Sequence, residues 1–174
     1  MLFSCASTTA TLSAPLSPDM ANLPQTLRVQ SKTPIPPSHI FAVPTRSKTI
    51  RLFPFHGTVI AAHCSRLAIL PRSNVSPDEE GSLSLPVLPL TIPHPETFPL
   101  LQEYLYTKKM DILSSRLASL SSSQWTRGVV RAAMIAGLAE NATFLGVSDD
   151  GFWQVVDNAW AKLLREFSVN RGAQ

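Results

Sequence analysis

No proline follows Pro99 in this 174-residue chain; all fifteen lie between Pro15 and Pro99. Proline locks φ and removes a backbone donor, so the first part resists regular structure and the helical core is expected in the second half. Cysteine is scarce as well. Cys5 and Cys64 make neither a disulfide framework nor a thiolate metal set, and a reducing compartment is the simpler reading. No run approaches the roughly 18 consecutive apolar residues of a membrane span, so no membrane partner is expected. The opening MLFSCASTTATLSAPL lacks a positive start and a sustained apolar stretch, which argues against a secretory signal. Its Ser, Thr and Ala content suits an organellar transit peptide, but the first arginine is Arg28 and prolines begin at Pro15, which speaks against import. Without secretion, the glycosylation patterns at Asn74-Val75-Ser76 and Asn141-Ala142-Thr143 carry no meaning.

Acidic residues are the second scarcity. Residues 1–77 hold seven Lys/Arg and only Asp19 as an acid, a charge of +6, whereas residues 78–174 hold eight cations and eleven acids, a charge of −3, and the two sum to +3. An acid-poor leader suits an anionic partner, but seven cations spread so thinly form no compact basic patch, which speaks against direct nucleic-acid binding. Arg46 and Lys48 are likewise too few for a nuclear-import cluster.

Residues 1–47 read as a flexible Pro/Ser/Thr-rich leader with one apolar island, LPQTLRV at Leu23 to Val29. Thr49 to Phe55 alternates enough for a strand, with Ile50, Leu52 and Pro54 on one face and Pro54 placing it at an edge. Thr58 to Leu70 brings Val59, Ile60, His63, Cys64 and Leu67 to one side of a helix that Pro71 stops. Ser73 to Ser84 is a polar loop. Leu85 to Ile92 is apolar but carries Pro86 and Pro89, so a strand here is expected at an edge or to be irregular.

From Glu96 the period changes to helical, with Phe98, Leu101, Tyr104 and Leu105 forming an apolar face and Pro99 tolerated only in the first turn. Six serines between Ser114 and Ser123 mark a helix end or a linker. From Trp125 to Leu145 apolar residues cover nearly all sides of a helix, which predicts burial all round, and Gly146 is placed to end it. Ser148-Asp149-Asp150 then supplies a cap and first-turn acids to a helix whose stripe is Phe152, Val156, Trp160, Leu163 and Phe167, with Trp153 and Leu164 beside it.

Little here resembles catalytic machinery. The seven glycines are scattered singly, with no GxSxG elbow and no glycine-rich phosphate loop. His56, His63, Cys64 and His94 offer zinc-type ligands, but their spacing matches no knuckle, and neighbours on a helix point to different faces. Asp149-Asp150 is explained by its helix start. No catalytic residue, metal or cofactor is expected, and the chain is read as not an enzyme.

Four segments in order carry a family resemblance: LPQTLRV, LFPFHGTVIAAHC at Leu52 to Cys64, LPVLPLTIPHPETFPLL running to YLYTKK at Leu85 to Lys109, and GVSDDGFWQVVDNAWAKLL at Gly146 to Leu164. Together they resemble the clampless-type regulators of mushroom-forming and related fungi. The strand entering a helix closed by Tyr106-Thr107 also resembles the BTB/POZ interaction fold. The resemblance implies an α/β (α+β) fold: a BTB/POZ-like module over residues 48–174, with a small sheet, a helical hairpin around Phe98 to Leu113 and a closing pair of helices. It implies a non-enzymatic regulator of sexual development, needed for clamp-cell formation in the dikaryon, that binds other regulatory proteins and has the option of homo-oligomers. Nuclear or cytoplasmic residence goes with that role. Competing readings are a generic BTB-type adaptor and a nucleic-acid-associated factor using the basic leader.

The candidate interaction surface is Tyr106, Lys108, Lys109, Trp153 and Trp160. Tyr and Trp are frequent anchors of interfaces. The plainer reading makes Trp153 and Trp160, seven residues apart on one stripe, core residues packed on the Tyr104 to Leu113 region, and makes the lysines a solvated helix end.

Overall fold

The computed structural model describes residues 20–30, 33–67, 70–73, 76, 78, 81–118 and 124–171. After a 3₁₀ turn at Met20–Asn22, the elements run β1 (Thr26–Gln30), β2 (His39–Pro44), β3 (Ile50–Phe55), α1 (Gly57–His63), β4 (Ser82–Pro89), α2 (Phe98–Thr107), α3 (Met110–Ala118), α4 (Gln124–Leu145) and α5 (Asp150–Arg171). The fold is mixed α/β, with one four-stranded sheet and a second half that is mainly helical. Two strands, β1 and β2, fall inside the residues read as a flexible leader; residues 1–19 and 31–32 of that segment lie outside the described ones.

The sheet order is β1-β4-β2-β3, so β4 is interior and not the edge strand its prolines predict. The reason is a change of partner along β4. Ser82 to Pro86 pair with β1 antiparallel, and Val87 to Pro89 pair with β2 in parallel. The Val87 N–H donates to the Gln25 carbonyl and the Leu90 N–H to the Ala42 carbonyl, both at 2.9 Å. Because amides alternate in direction along a strand, those of odd number point to β1 and those of even number to β2. Pro86 therefore lacks a donor opposite the residue before β2 starts, and Pro89 lacks one on the side where β1 has already ended. Each missing N–H falls beyond the paired stretch of the strand it would face. Pro54 does sit on the outer strand β3, as expected, and the Gln102 amide donates to its carbonyl at 2.9 Å.

Alternation along the strands divides the apolar residues into two clusters. Phe41, Val43, Phe53 and Phe55 face the helices and meet Ile60, Phe98, Leu101, Leu113, Leu138, Phe152 and Leu163. Edge-to-face ring pairs knit this side, Phe53 on Phe98 at 5.0 Å and Phe41 on Phe55 at 5.1 Å between centroids. Ile40, Ala42, Val29, Leu83, Leu85 and Val87 form the cluster on the other face, with Ile50 and Leu52 partly buried against it. The deeply buried side of β3 is thus Phe53 and Phe55, opposite to the side on which Ile50 and Leu52 lie.

Helix α1 ends at His63, well before Pro71; residues 68 and 69 of the expected helix lie outside the described ones. Cys64 is extended, and the chain then turns to close the end of α4. The Ser65 and Arg66 amides donate to the Gly146 and Leu145 carbonyls at 3.2 and 3.1 Å, and the Arg66 guanidinium donates to Thr143 at 3.1 Å. The Leu145 carbonyl, last in α4, has no later helical amide to accept from. Gly146 ends α4 at φ 73°, the left-handed conformation glycine tolerates, and a side chain there would strike Ser65 and Arg66.

Helix α4 departs from the expected burial all round, since Val129 is 61% exposed and Phe144 45%. Its inner face is Arg131, Ile135, Leu138, Ala142 and Leu145. Arg131 is buried, donating to the Leu117 carbonyl at 3.2 Å and to Glu166 at 2.6 Å, so one guanidinium ties α3, α4 and α5 together. Helix α3 carries Ser114 and Ser115; residues 119–123 lie outside the described ones.

Candidate interaction surface

The corner between α2 and α3 is where the sequence points. Thr97 precedes α2, Pro99 sits in its first turn, and Phe98, Leu101, Tyr104 and Leu105 are buried as their spacing predicts. Lys108 closes α2 in the left-handed conformation at φ 53°, its N–H donating to the Tyr104 carbonyl at 2.8 Å. That backbone position reverses the chain into α3. It also swings the Lys108 side chain over the Tyr104 ring, 5.1 Å from its centroid, and onto Asp149 at 2.9 Å.

Asp149 is the junction of this corner with α5. Its carboxylate accepts the Phe152 N–H at 3.2 Å, the expected helix cap, as well as the Lys108 ammonium. Burial opposes its ionisation, but the hydrogen bonds from Lys108 and Phe152 and the Lys108 charge outweigh it and hold the carboxyl below its ordinary value. Burial, then the Asp149 charge and hydrogen bond, pushes the Tyr104 phenol up to about 12. Next to them, burial lowers His63, with the Lys108 charge adding to the effect. Burial also raises the Cys64 thiol to about 11 against the opposing pull of Lys108. A thiol so raised stays protonated and makes a poor nucleophile at neutral pH. Among the described residues no group of three or more His, Cys, Asp or Glu is arranged to hold a metal ion.

Tyr106 faces the other way from Lys108. Its hydroxyl accepts the His56 N–H at 2.8 Å and lies 2.9 Å from His56 Nδ1, while His56 Nε2 lies 3.2 Å from the Ile35 carbonyl. It joins α2 to the start of α1 and to the segment before β2. Trp153 is partly buried on the main core, its indole N–H donating to the Val147 carbonyl at 2.9 Å and its ring edge-on to Phe152 at 5.2 Å. Trp160 is also partly buried on that core, about 10 Å of helix rise beyond Trp153. Of the five candidate residues only Lys109 is exposed. Lys108 is engaged by Asp149 and Tyr106 by His56, so both hold the fold together at this corner.

Sequence reading missed two things here. One is the Tyr104-Lys108-Asp149 set, whose members are 41 residues apart at the ion pair and which no local pattern signals. The other is Asn141, fully buried, whose side chain accepts the His94 N–H at 3.0 Å and donates to the His94 carbonyl at 2.7 Å and to Thr97 at 2.9 Å. Its place in an apparent glycosylation pattern disguised a residue that fastens the entry of α2 to α4.

The model for the N-terminal domain of clampless protein 1 matches residues 1–93, and the model for its C-terminal domain matches residues 82–174. The chain belongs to the clampless protein family. Among curated proteins and among solved structures nothing matches it. The two matched segments of this clampless-family chain overlap at residues 82–93, which contain β4. That strand pairs with β1 and β2 of the first segment and leads into α2 of the second, and the Ser65 and Arg66 cap on α4 crosses the same boundary. The helix-facing cluster therefore draws on both segments, and residues of the first close the end of a helix in the second.

Proposed function

We propose that this chain is a non-enzymatic regulator of fungal sexual development, acting in clamp-cell formation and maintenance of the dikaryon by binding other regulatory proteins. The observation that carries the proposal is the family match, which runs through both domain models from residue 1 to residue 174. The local architecture supports a BTB/POZ-like organisation: β4 leads through Thr97 into α2, the helix closes at Tyr106-Thr107, and Lys108 turns the chain back into α3. The protein works inside the cell, in the nucleus or the cytoplasm; no helix among the described residues is long and apolar enough to cross a membrane.

The test is purification of tagged protein from mating fungal cells after nuclease treatment, in moderate and then high salt. Trp153 is held by its bond to Val147, so polar substitutions belong at Val130, Phe144 and Leu164, which are exposed and can change without opening the core. Transcription or cell-cycle regulators that survive both washes and disappear in these folded variants support the proposal. Recovery of nuclease-sensitive, salt-labile material alone would favour the basic leader as a nucleic-acid contact. Normal clamp cells in a deletion strain would overturn the developmental role.

A further inference from the structure

The turn joining β2 to β3 carries three clustered hydroxyls. The Lys48 N–H donates to the Thr45 carbonyl at 3.1 Å and the Thr45 N–H to the Thr49 carbonyl at 2.8 Å, with Lys48 left-handed at φ 58°. This is a three-residue hairpin loop ending in a bulge. Thr45 Oγ1 lies 2.9 Å from Ser47 Oγ and 2.7 Å from Thr49 Oγ1, and the last two are 3.2 Å apart. They do unequal work. The Thr45 hydroxyl also donates to the Thr49 carbonyl at 3.0 Å and accepts the Thr49 N–H at 3.3 Å, so it holds the turn. Among the described residues the Thr49 hydroxyl meets only the other two hydroxyls, and its side chain is exposed. Around it stand Arg46, Lys48 and Arg51, all exposed, and Arg46 pairs with the exposed Glu96 at 3.1 Å.

We propose that Thr49 is a phosphorylation site for an arginine-directed Ser/Thr protein kinase. Arg46, three residues ahead, supplies the guanidinium that carboxylates of such a kinase read. Thr49 Oγ1 attacks the γ-phosphorus of magnesium-bound ATP, the new O–P bond forms as the bond to ADP breaks, and the hydroxyl proton passes to the kinase's catalytic aspartate. The product carries a charge of about −1.5 to −2. Arg51, two residues on in β3 with its guanidinium 5.3 Å over the Phe53 ring, is the cation offered to the phosphate, and Arg46 is drawn to it from Glu96. The same Arg-x-x-Ser/Thr spacing occurs at Arg28-Ser31, Arg116-Ser119 and Arg165-Ser168. Ser168 lies within α5 with its hydroxyl on the Leu164 carbonyl at 3.0 Å, so a kinase would have to unwind the helix to reach it. Ser31 and Ser119 lie outside the described residues. The site is independent of the developmental role and needs no interaction partner.

The experiment treats the full chain with the catalytic subunit of an arginine-directed kinase and magnesium ATP, and maps phosphate by mass spectrometry. Phosphothreonine at position 49 is expected, lost in Thr49→Val at unchanged urea midpoint and formed about tenfold more slowly in Arg46→Ala, for loss of one charge-assisted contact. Phosphorus NMR of the modified protein is expected to show the second phosphate ionisation at lower pH in the parent than in Arg51→Ala, because the guanidinium favours the dianion. Phosphate confined to Ser31, Ser119 or Ser168, or incorporation at Thr49 that ignores Arg46→Ala, overturns the proposal. An ionisation indifferent to Arg51 removes Arg51 as the phosphate's neighbour.

Discussion

The two faces of the sheet are built from different stock. Toward the helices stand Phe41, Phe53 and Phe55, large rings that interlock with one another and with Phe98; on the other face stand Ile40, Ala42, Leu83, Leu85 and Val87, aliphatic residues drawn from the strands themselves. Rings bring area and directional packing and bind separate elements together, whereas the aliphatic face is closed by neighbours one or two strands away. The helix-facing side is therefore expected to hold the molecule together, and the other to fix strand register.

The most severe way to break that contrast is to delete a ring. Phe98→Ala, at a side chain 1% exposed that bridges sheet and helix, is expected to cost about 3 to 5 kcal/mol in urea unfolding. Leu85→Ala, equally buried on the opposite face, is expected to cost about 2 to 3 kcal/mol. An equal loss in both would show that the second cluster carries as much of the fold as the first.

Asn141→Ala tests whether the helix-facing core depends on polar pins as well as rings. It would strand the buried groups of His94 and Thr97, at a cost of about 2 kcal/mol.

Asp149→Asn keeps a capping side chain but removes the charge that faces Lys108, at an expected cost of about 1 kcal/mol, and the loss should depend on pH. The folded carboxyl lies below its ordinary value, so its contribution is present above the unfolded pKa, about 4, and disappears as pH falls through the folded one. The gap between parent and variant should narrow on acidification below about pH 4; a gap that stays constant would mean that Lys108 gives Asp149 no charge stabilisation.

Adjacent lysines offer the finest comparison. Lys108→Ala removes an ion pair and a ring contact at a partly buried corner and is expected to cost about 1 kcal/mol, whereas exposed Lys109→Ala should stay within about 0.5 kcal/mol. Thermal unfolding of the two variants side by side decides it.

Much of the helical half was legible. The spacing of Phe98, Leu101 and Leu105, the tolerated Pro99, the stop at Gly146 and the Asp149 start all follow from local rules, and each is found where those rules put it. The stripe of α5 is also as read, with Phe152, Val156 and Leu163 buried. What failed had distant causes. Strand β4 is interior because its partners change at Pro86, α1 stops early because Ser65 and Arg66 are drawn to α4, and α4 leaves Val129 and Phe144 to solvent although its composition suits burial. The candidate surface was legible only as residue types; the ion pair of Lys108 and the hydroxyl contact of Tyr106 join residues 41 and 50 positions apart, beyond the reach of any local pattern.

By itself the sequence determined the family, the confinement of prolines to the first part and the periods of α2 and α5, because these are properties of neighbouring residues and of covalent geometry. Strand order, the two-sided sheet, the early end of α1 and the fate of Lys108 were decided only by tertiary structure. Each depends on groups that meet across long stretches of chain, as Ser65 meets Gly146 over 81 residues, and an unpaired amide or carbonyl finds its partner only once the chain has closed.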